Sequence, residues 1–249
     1  MLDIGTKADD YAITKLMKYM VNNDNCGGCC GEIEVDFSTH GNFDLSYCVK
    51  AAQFYEYKLS HSPDKLMESF FGYNSVLPGA YSLFKWDAIQ GGPMDKFFKL
   101  VNTDKDASCN EANEYLAEDR VMCLQIFIKE KNGYYLEYIP DAKAFTDAPP
   151  SLTVLIKQRR RWMNGALFAA FRVLANFTNM INCSRTNHSC IRKIGILVYM
   201  IYFTAMQLLS FFLVGSFFVS IRLFYTNFFK QITDQVGFKN RHTFIYNFF

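Results

Sequence analysis

The 249-residue sequence has almost no net charge, because 26 Lys and Arg residues face 24 Asp and Glu residues and leave +2. A balance this close to neutral gives the chain no general attraction to the phosphates of nucleic acid. We therefore expect no nucleic-acid partner. The basic residues do gather locally, at 157–161 and 185–193.

Histidine is scarce, and its spacing does not suit a zinc site. Three of the eight cysteines form the cluster Cys26-Gly-Gly-Cys29-Cys30, which would need further ligands to hold zinc. The four histidines supply no such pair; they are His40, His61, His188 and His242. The sequence favours reduced cysteines in a cytosolic domain.

A secretory signal is also lacking. Residues 1–7 contain no basic region followed by an apolar run. They resemble the end of a buried strand that meets a glycine turn. A start on a core strand predicts that this chain is a fragment of a longer protein.

Aromatic residues are abundant, with 25 Phe, 15 Tyr and 2 Trp making 17% of the chain. Such a content is typical of a protein at a lipid boundary or of one that holds sugar rings. Residues 194–221 carry no charge. About 20 apolar residues span a bilayer as a helix, so this run predicts a transmembrane helix. The alternative is a buried helix of a larger soluble domain.

The charges around this run predict its orientation. Arg185, Arg192 and Lys193 precede the run, whereas Arg222 and Lys230 follow it. The excess before it favours a cytosolic N-terminal side. Three glycosylation sequons would then stay unmodified; they begin at Asn176, Asn182 and Asn187.

Hydrophobic spacing predicts an α/β domain before this run. Helices are expected over 9–21, 45–60 and 116–129, and a further helix is capped by Ser151. Strands are expected over 32–37 and 134–139, and a strand–turn–strand or strand–turn–helix over 70–84. Loops are expected at 26–31 and 97–113.

Gln158-Arg159-Arg160-Arg161-Trp162 is an unusual cluster of basic and aromatic residues. On a helix the arginines fan around the axis, so one or two could bind a phosphate in a bidentate fork. The Trp162 indole offers a flat face to a sugar ring or an anchor at a membrane interface. The alternative is a basic helix face that lies on anionic lipid.

Carboxylates mark two further places. Glu118 and Asp119 precede a helical run, where they stabilise a helix N-terminus or act as a general base. Asp3 ends a strand before Gly5-Thr6, a position at which an aspartate can hold a divalent metal.

Taken together, these segments resemble the chitin synthases. The resemblance runs in family order from residue 2 to about residue 170. Its last motif, Gln158–Trp162, is shared with cellulose and hyaluronan synthases, but the full set is specific to chitin synthases. The matching segments are Leu2–Lys7, Cys30–Ile33, Phe54–Lys58 with Ser60-His61 and Asp64-Lys65, Glu68-Ser69, Phe71-Gly72, Leu77–Ser82, Tyr115–Arg120 and Gln158–Trp162.

The resemblance implies a partial Rossmann-like GT-A glycosyltransferase domain followed by a transmembrane helix. The implied organisation is a catalytic domain with an interfacial helix at 1–175, a juxtamembrane segment at 176–193, the helix at 194–221 and a short tail at 222–249. The family's uridine-binding strands, which should precede Asp3, and most of its membrane helices are missing here.

The resemblance also implies roles for single residues. Asp3 would bind Mg²⁺ or Mn²⁺, and Asp119, with Glu118 as the alternative, would be the base for the acceptor 4-hydroxyl. Gln158, Arg159, Arg160 and Trp162 would bind the UDP diphosphate and line the acceptor channel. His61 and Asp64 would support the site from behind. Leu77, Pro78 and Gly79, within Leu77–Ser82, would shape the acceptor end.

The activity implied is inverting transfer of N-acetylglucosamine from UDP-GlcNAc to a growing β-1,4 chitin chain. The implied setting is the cytosolic face of the plasma membrane or a secretory vesicle, in contact with the lipid bilayer, and a homodimer is left open. Two other readings are a hyaluronan- or cellulose-type synthase and a catalytically incomplete, membrane-anchored remnant that acts as a partner subunit.

Overall fold

A computed structural model describes residues 1–37, 45–101, 115–181 and 187–236. The chain divides into two compact units, residues 1–200 and 201–249. Several sequence predictions lie outside the described residues: most of the 97–113 loop, the Asn182 sequon, Arg185, His40 and His242, and the end of the 222–249 tail.

A four-stranded mixed sheet organises the first unit, with the order β1-β4-β2-β3. Its strands are β1 (Lys7–Ala8), β2 (Cys26–Val35), β3 (Ser82–Phe84) and β4 (Tyr135–Thr146). The two long central strands, β2 and β4, run parallel, while β1 and β3 pair antiparallel at the edges. The mixed α/β content that the sequence predicts is therefore present.

The predicted loop at 26–31 is wrong, because these residues form the first half of β2 and are buried. Their small side chains let neighbouring groups approach closely. At Gly31 an added Cβ would lie 1.9 Å from the carbonyl oxygen of Ala142. There β4 bulges, since Gly31 pairs with Ile139 while Glu32 pairs with Lys143. Glycine in this cluster serves close packing rather than a turn.

Helices surround the sheet, and most of those predicted are confirmed within two or three residues. The prediction of helices over 9–21, 45–60 and 116–129 is met by α1, α2 and α6. The helices are α1 (Ala12–Asn22), α2 (Leu45–Leu59), α3 (Leu66–Phe70), α4 (Trp86–Ile89), α5 (Gly92–Val101), α6 (Glu118–Phe127), α7 (Leu152–Ala175), α8 (Phe177–Ile181) and α9 (Cys190–Val236). A π-helical turn, Ser60–Lys65, joins α2 to α3, and a 3₁₀ turn, Tyr115–Ala117, precedes α6.

Two helix boundaries bear on the predictions. Ser151 caps α7 as expected, since its hydroxyl accepts a hydrogen bond from the Val154 amide at 3.5 Å. The first part of the predicted 97–113 loop is wrong, because α5 continues to Val101.

The prediction for residues 70–84 is correct only at its end, where β3 lies. Before β3 the chain is irregular, because polar side chains bond the backbone of β4. The Ser69 hydroxyl accepts from the Tyr138 amide at 2.8 Å, and the Asn74 amide donates to the Leu136 carbonyl at 3.1 Å. Such side-chain bonds compete with the formation of another strand.

Residues 194–221 are helical as predicted, within α9. Among the described residues, however, no helix combines the length and the sustained hydropathy that a membrane crossing requires. The predicted transmembrane helix is therefore not supported by the structure. In the second unit α9 runs from residue 201 to Val236, and its large apolar side chains, such as Phe212 and Phe217, are largely exposed.

Candidate functional site

The acid pair stands at the first turn of α6. Asp119 is partly buried, and its Oδ1 accepts a hydrogen bond from the Arg120 amide at 2.8 Å. Burial raises the pKa of the Asp119 carboxyl, against the opposing positive charges of Arg120 and Lys65. A carboxylate poised in this way accepts a proton more readily than an ordinary aspartate does.

Glu118 connects the acid pair to two other predicted site residues. Burial raises the pKa of its carboxyl, and the negative charges of Asp119 and Asp3 add to that rise. The positive charge of Arg161 opposes it. The start of α6, Asp3 and Arg161 of the arginine cluster therefore lie in one electrostatic neighbourhood.

Asp3 lies beside the segment predicted to shape the acceptor end. Its amide donates to the Ala80 carbonyl at 3.2 Å, and Leu2 pairs with Tyr81. The Asp3 side chain is exposed. The structure thus brings Asp3 and residues 77–82 together at the edge of the sheet.

Asp3 fits a divalent cation only in company with a substrate. No group of three or more His, Cys, Asp or Glu side chains that could hold a metal occurs among the described residues. Mg²⁺ commonly takes one or two protein carboxylates, several waters and substrate phosphate oxygens. An exposed carboxylate such as Asp3 suits that mode of binding and could not form a closed protein cage.

The 77–82 segment is held from below by α6. The Leu77 amide donates to the Cys123 thiol sulfur at 3.2 Å, and Leu77 is fully buried. Pro78 and Gly79 are half-buried, and a Cβ added at Gly79 would meet no atom within 4 Å. Leu77 is therefore packed against the acid helix, while Gly79 has open space where a side chain would stand.

Helix α7 carries the arginine–tryptophan cluster against the turn that precedes the acid pair. A Cβ added at Gly165 would lie 2.9 Å from the Ala117 Cβ and 3.0 Å from the Leu116 carbonyl oxygen. Only glycine allows this approach without a shift of the neighbouring chain. The contact fixes the distance between the acid pair and the cluster.

The predicted phosphate-binding side chains of α7 differ in their surroundings. Arg159 pairs with Glu56 at 2.7 Å and lies over the Trp162 ring, with 4.3 Å between its guanidinium carbon and the ring centroid. The Gln158 side-chain oxygen accepts from Arg159 at 3.2 Å. Arg160 is exposed. In this structure Arg160 is the predicted arginine that projects into solvent.

Trp162 joins a column of aromatic rings. Its indole stacks on Tyr57 with ring centroids 6.5 Å apart, and Tyr57 meets His61 edge-on at 5.8 Å. His61 in turn stacks on Tyr138 of β4 at 6.0 Å. Burial lowers the pKa of His61 to about 3, so the imidazole is neutral at physiological pH. His61 thus packs against Tyr57, which in turn packs against Trp162, whereas Asp64 is exposed.

Lys65 is a site residue to which the sequence analysis gave no role. It is buried, at 5% exposure, and its ammonium donates to the Val76 carbonyl at 2.6 Å. Burial raises the pKa of both Asp119 and Cys123, and the positive charge of Lys65 opposes that rise. Its place in the Asp64-Lys65 match was a signal, but a lone lysine on a polar turn gave no reason to expect burial.

The matched residues thus supply three chemical elements within one region. The partly buried carboxyl of Asp119 can accept a proton, an exposed arginine of α7 can bind a phosphate, and the exposed carboxylate of Asp3 can share a divalent cation.

Comparison with known proteins identifies the family of this chain. Residues 1–177 match the family model described as a chitin synthase-like glycosyltransferase domain. Chitin synthase C of Aspergillus oryzae is 40% identical over 234 residues, which cover 91% of this chain and 25% of that protein. Chitin synthase 1 of Fusarium oxysporum f. sp. lycopersici is 37% identical over 234 residues, with 91% and 26% covered.

The similarity extends to Chitin synthase 1 of Phytophthora sojae, which is 36% identical over 222 residues that cover 89% of this chain and 24% of that protein. The chain therefore spans about a quarter of the length of these curated relatives. The family match covers well over half of the chain, and on that match the chain belongs to the chitin synthase family.

Proposed function

We propose that this chain forms part of a chitin synthase that transfers N-acetylglucosamine from UDP-GlcNAc to the 4-hydroxyl of a growing chitin chain. The observation that carries the proposal is the close contact of α7 with the turn before α6, which places the exposed Arg161 in the electrostatic environment of the Glu118 carboxyl. Gly165 brings α7 against the turn before Glu118-Asp119, and Arg161 acts on the pKa of Glu118.

Asp119 is the proposed general base. Burial raises the pKa of its carboxyl, while the positive charges of Arg120 and Lys65 oppose that rise. In the proposed reaction Asp119 takes the proton of the acceptor hydroxyl, and the oxygen attacks the anomeric carbon in a single inverting displacement. The charges of Asp3 and Arg161 act on the pKa of Glu118, and Glu118 would orient the acceptor.

The diphosphate leaving group needs positive charge. Arg160 is the proposed direct ligand, because its guanidinium is exposed, whereas Arg159 is paired with Glu56. Asp3 would hold Mg²⁺ or Mn²⁺, which when bound supplies charge neutralisation to the diphosphate. Gln158 positions Arg159, and the Trp162 ring column forms the wall for a sugar.

A membrane setting is part of the proposal. The apolar side chains of α9 are largely exposed, for example Phe212 at 69% and Phe218 at 65%. Exposed apolar surface of this extent marks contact with lipid or with further apolar segments. We expect the longer protein at the plasma membrane or a secretory vesicle, with the catalytic part facing the cytosol.

The experiment uses the full-length protein in detergent. With Mg²⁺ or Mn²⁺ present, it should release UDP from UDP-GlcNAc and form a polymer that chitinase digests. Asp119→Asn should lower turnover by about 10²–10⁴-fold and leave UDP binding intact. Asp95→Asn, at an exposed position on α5, is the matched control and should keep full turnover.

The variant Glu118→Gln distinguishes the role of Glu118 from that of Asp119. If Asp119 is the base, Glu118→Gln retains more turnover than Asp119→Asn does. Unchanged turnover in Asp119→Asn would refute the base assignment, and a wild-type protein that turns over no UDP-GlcNAc would refute the function.

A further inference from the structure

A series of hydrogen bonds, joined through the covalent frames of Ser75 and Arg120, connects the first turns of α9 to the acid pair. The Tyr199 hydroxyl donates to the Glu68 carboxylate, whose other oxygen accepts from the Ser75 amide at 2.9 Å. The Ser75 hydroxyl then accepts from the Arg120 guanidinium at 3.3 Å. Arg120 stands next to Asp119 and donates its amide to that carboxylate at 2.8 Å.

Burying the Glu68 carboxylate costs hydration free energy, so its hydrogen-bond partners are needed to hold it in the interior. Its exposure is 4%, and Tyr199 beside it is 6% exposed. Burying a carboxylate requires strong hydrogen bonds to offset the lost hydration. Glu68 meets this need by accepting hydrogen bonds from the Tyr199 hydroxyl and from the Ser75 backbone amide, which lies just before the 77–82 segment.

Residues 190–200 of α9 are packed in the same unit as this path. A Cβ at Gly195 would lie 2.4 Å from the Phe71 ring, and the Phe71 and Tyr199 rings are 6.2 Å apart. The Arg192 guanidinium lies over Tyr135 of β4 at 5.2 Å. The start of α9 is therefore held against Phe71 and β4 by residues just before Tyr199, and the tyrosine hydroxyl has a defined place.

We propose that Tyr199 and Glu68 are positioning residues for the catalytic base, acting through Ser75 and Arg120. Tyr199 fixes Glu68, Glu68 fixes the Ser75 backbone, and the Ser75 hydroxyl orients the Arg120 guanidinium beside Asp119. Arg120 has the largest opposing effect on the burial-raised pKa of Asp119, so its placement governs how readily Asp119 takes a proton. This inference rests on the proposed function, because it assigns the path to the base of that reaction.

The test is a double-mutant cycle in the full-length enzyme with Tyr199→Phe, Ser75→Ala and the double variant. Each single variant removes one side-chain hydroxyl, and with it one hydrogen bond of the path, and hardly changes the volume of the side chain. We expect each to lower kcat about tenfold, as loss of one hydrogen bond to a charged group does. The KM for UDP-GlcNAc should stay within about twofold. The double variant should be no worse than the poorer single variant, because both interrupt one path.

Tyr202→Phe is the matched control, since it makes the same chemical change on an exposed tyrosine of the same helix. It should leave kcat and KM unchanged. If Tyr199→Phe does not accumulate, the cycle is run with Glu68→Gln and Ser75→Ala, with the same expected pattern. Full kcat in either single variant, effects that multiply in the double variant, or a rise in KM that matches the fall in kcat would each overturn the inference.

The outcomes separate this inference from the proposed function. An active wild-type enzyme with a multiplicative cycle retains the function and overturns the path. A wild-type enzyme without UDP-GlcNAc turnover overturns the function, and the path then has no base to position.

Discussion

The start of α6 and the cluster on α7 bear the same proposed reaction but are built in opposite ways. The acid pair is partly buried, and Asp119 is surrounded by groups of the core: the Arg120 amide, Lys65 and the path through Ser75. On α7 Arg160 is exposed, and Arg159 is held at the helix surface by Glu56. A base needs a fixed environment to set its pKa, whereas a phosphate ligand needs freedom to meet a mobile substrate.

We expect the largest loss of stability and turnover from a change at Gly165, where α7 contacts the turn before α6. Gly165→Val would place atoms within about 3 Å of Ala117 and Leu116, as the clash of a bare Cβ already shows. Overpacking of this kind costs about 1–3 kcal/mol. Displacing α7 from the acid pair should also lower turnover by about 100-fold.

Thermal unfolding and UDP release would measure the two effects of Gly165→Val. Gly92→Ala is the control, because a Cβ at Gly92 meets no atom within 4 Å. Wild-type turnover in Gly165→Val would show that the acid pair and the cluster act independently.

An intermediate effect is expected from the two arginines of α7. Arg160→Ala should raise the KM for UDP-GlcNAc about tenfold, because a lost charged hydrogen bond to phosphate is worth about 1.5–3 kcal/mol. Arg159→Ala should instead lower stability, because it removes a contact with Trp162 and leaves Glu56 without this partner. Steady-state kinetics and thermal unfolding on both variants would decide the matter. The reverse pattern would exchange the two roles.

The smallest effect concerns the pH dependence of the base. Asp119 must be ionised to act, so turnover falls as pH drops through its pKa, which burial holds above the ordinary range. Lys65 favours the ionised form, together with Arg120, while Glu118 and Cys123 also lie in this environment. Lys65→Met should raise the pKa of Asp119 further and move the acid limb of the kcat profile to higher pH. Lys96→Met, on α5, should leave the limb in place.

The motifs in the sequence correctly predicted the family, and hydrophobic spacing correctly predicted several helices. Helical spacing identified α1, α2, α6 and the capped start of α7, because apolar periodicity reports burial on one face. The Cys26–Gly31 cluster was wrongly predicted as a loop, although it forms the start of β2. Its glycines allow close contact with neighbouring elements, and the sequence does not show where those elements lie. The roles assigned to Asp3, Asp119 and the α7 side chains remain predictions.

The predicted transmembrane helix shows what composition alone does not determine. An uncharged run predicted both a helix and a membrane crossing, and the structure supports the helix. Residues at its beginning, such as Tyr199, are instead packed on Phe71 and Glu68. A pattern along one element does not report which other elements lie beside it.

The sequence by itself determined the family, the positions of α1, α2 and α6, the start of α7 and the chemical types of the proposed site residues, because these depend on local spacing and motif. Tertiary structure alone decided that Lys65 is buried beside Asp119, that Arg159 is paired while Arg160 is exposed, and that Tyr199 connects to the acid pair. Each of these depends on contacts between residues far apart in the chain. Burial and charge pairing arise only when the chain has folded.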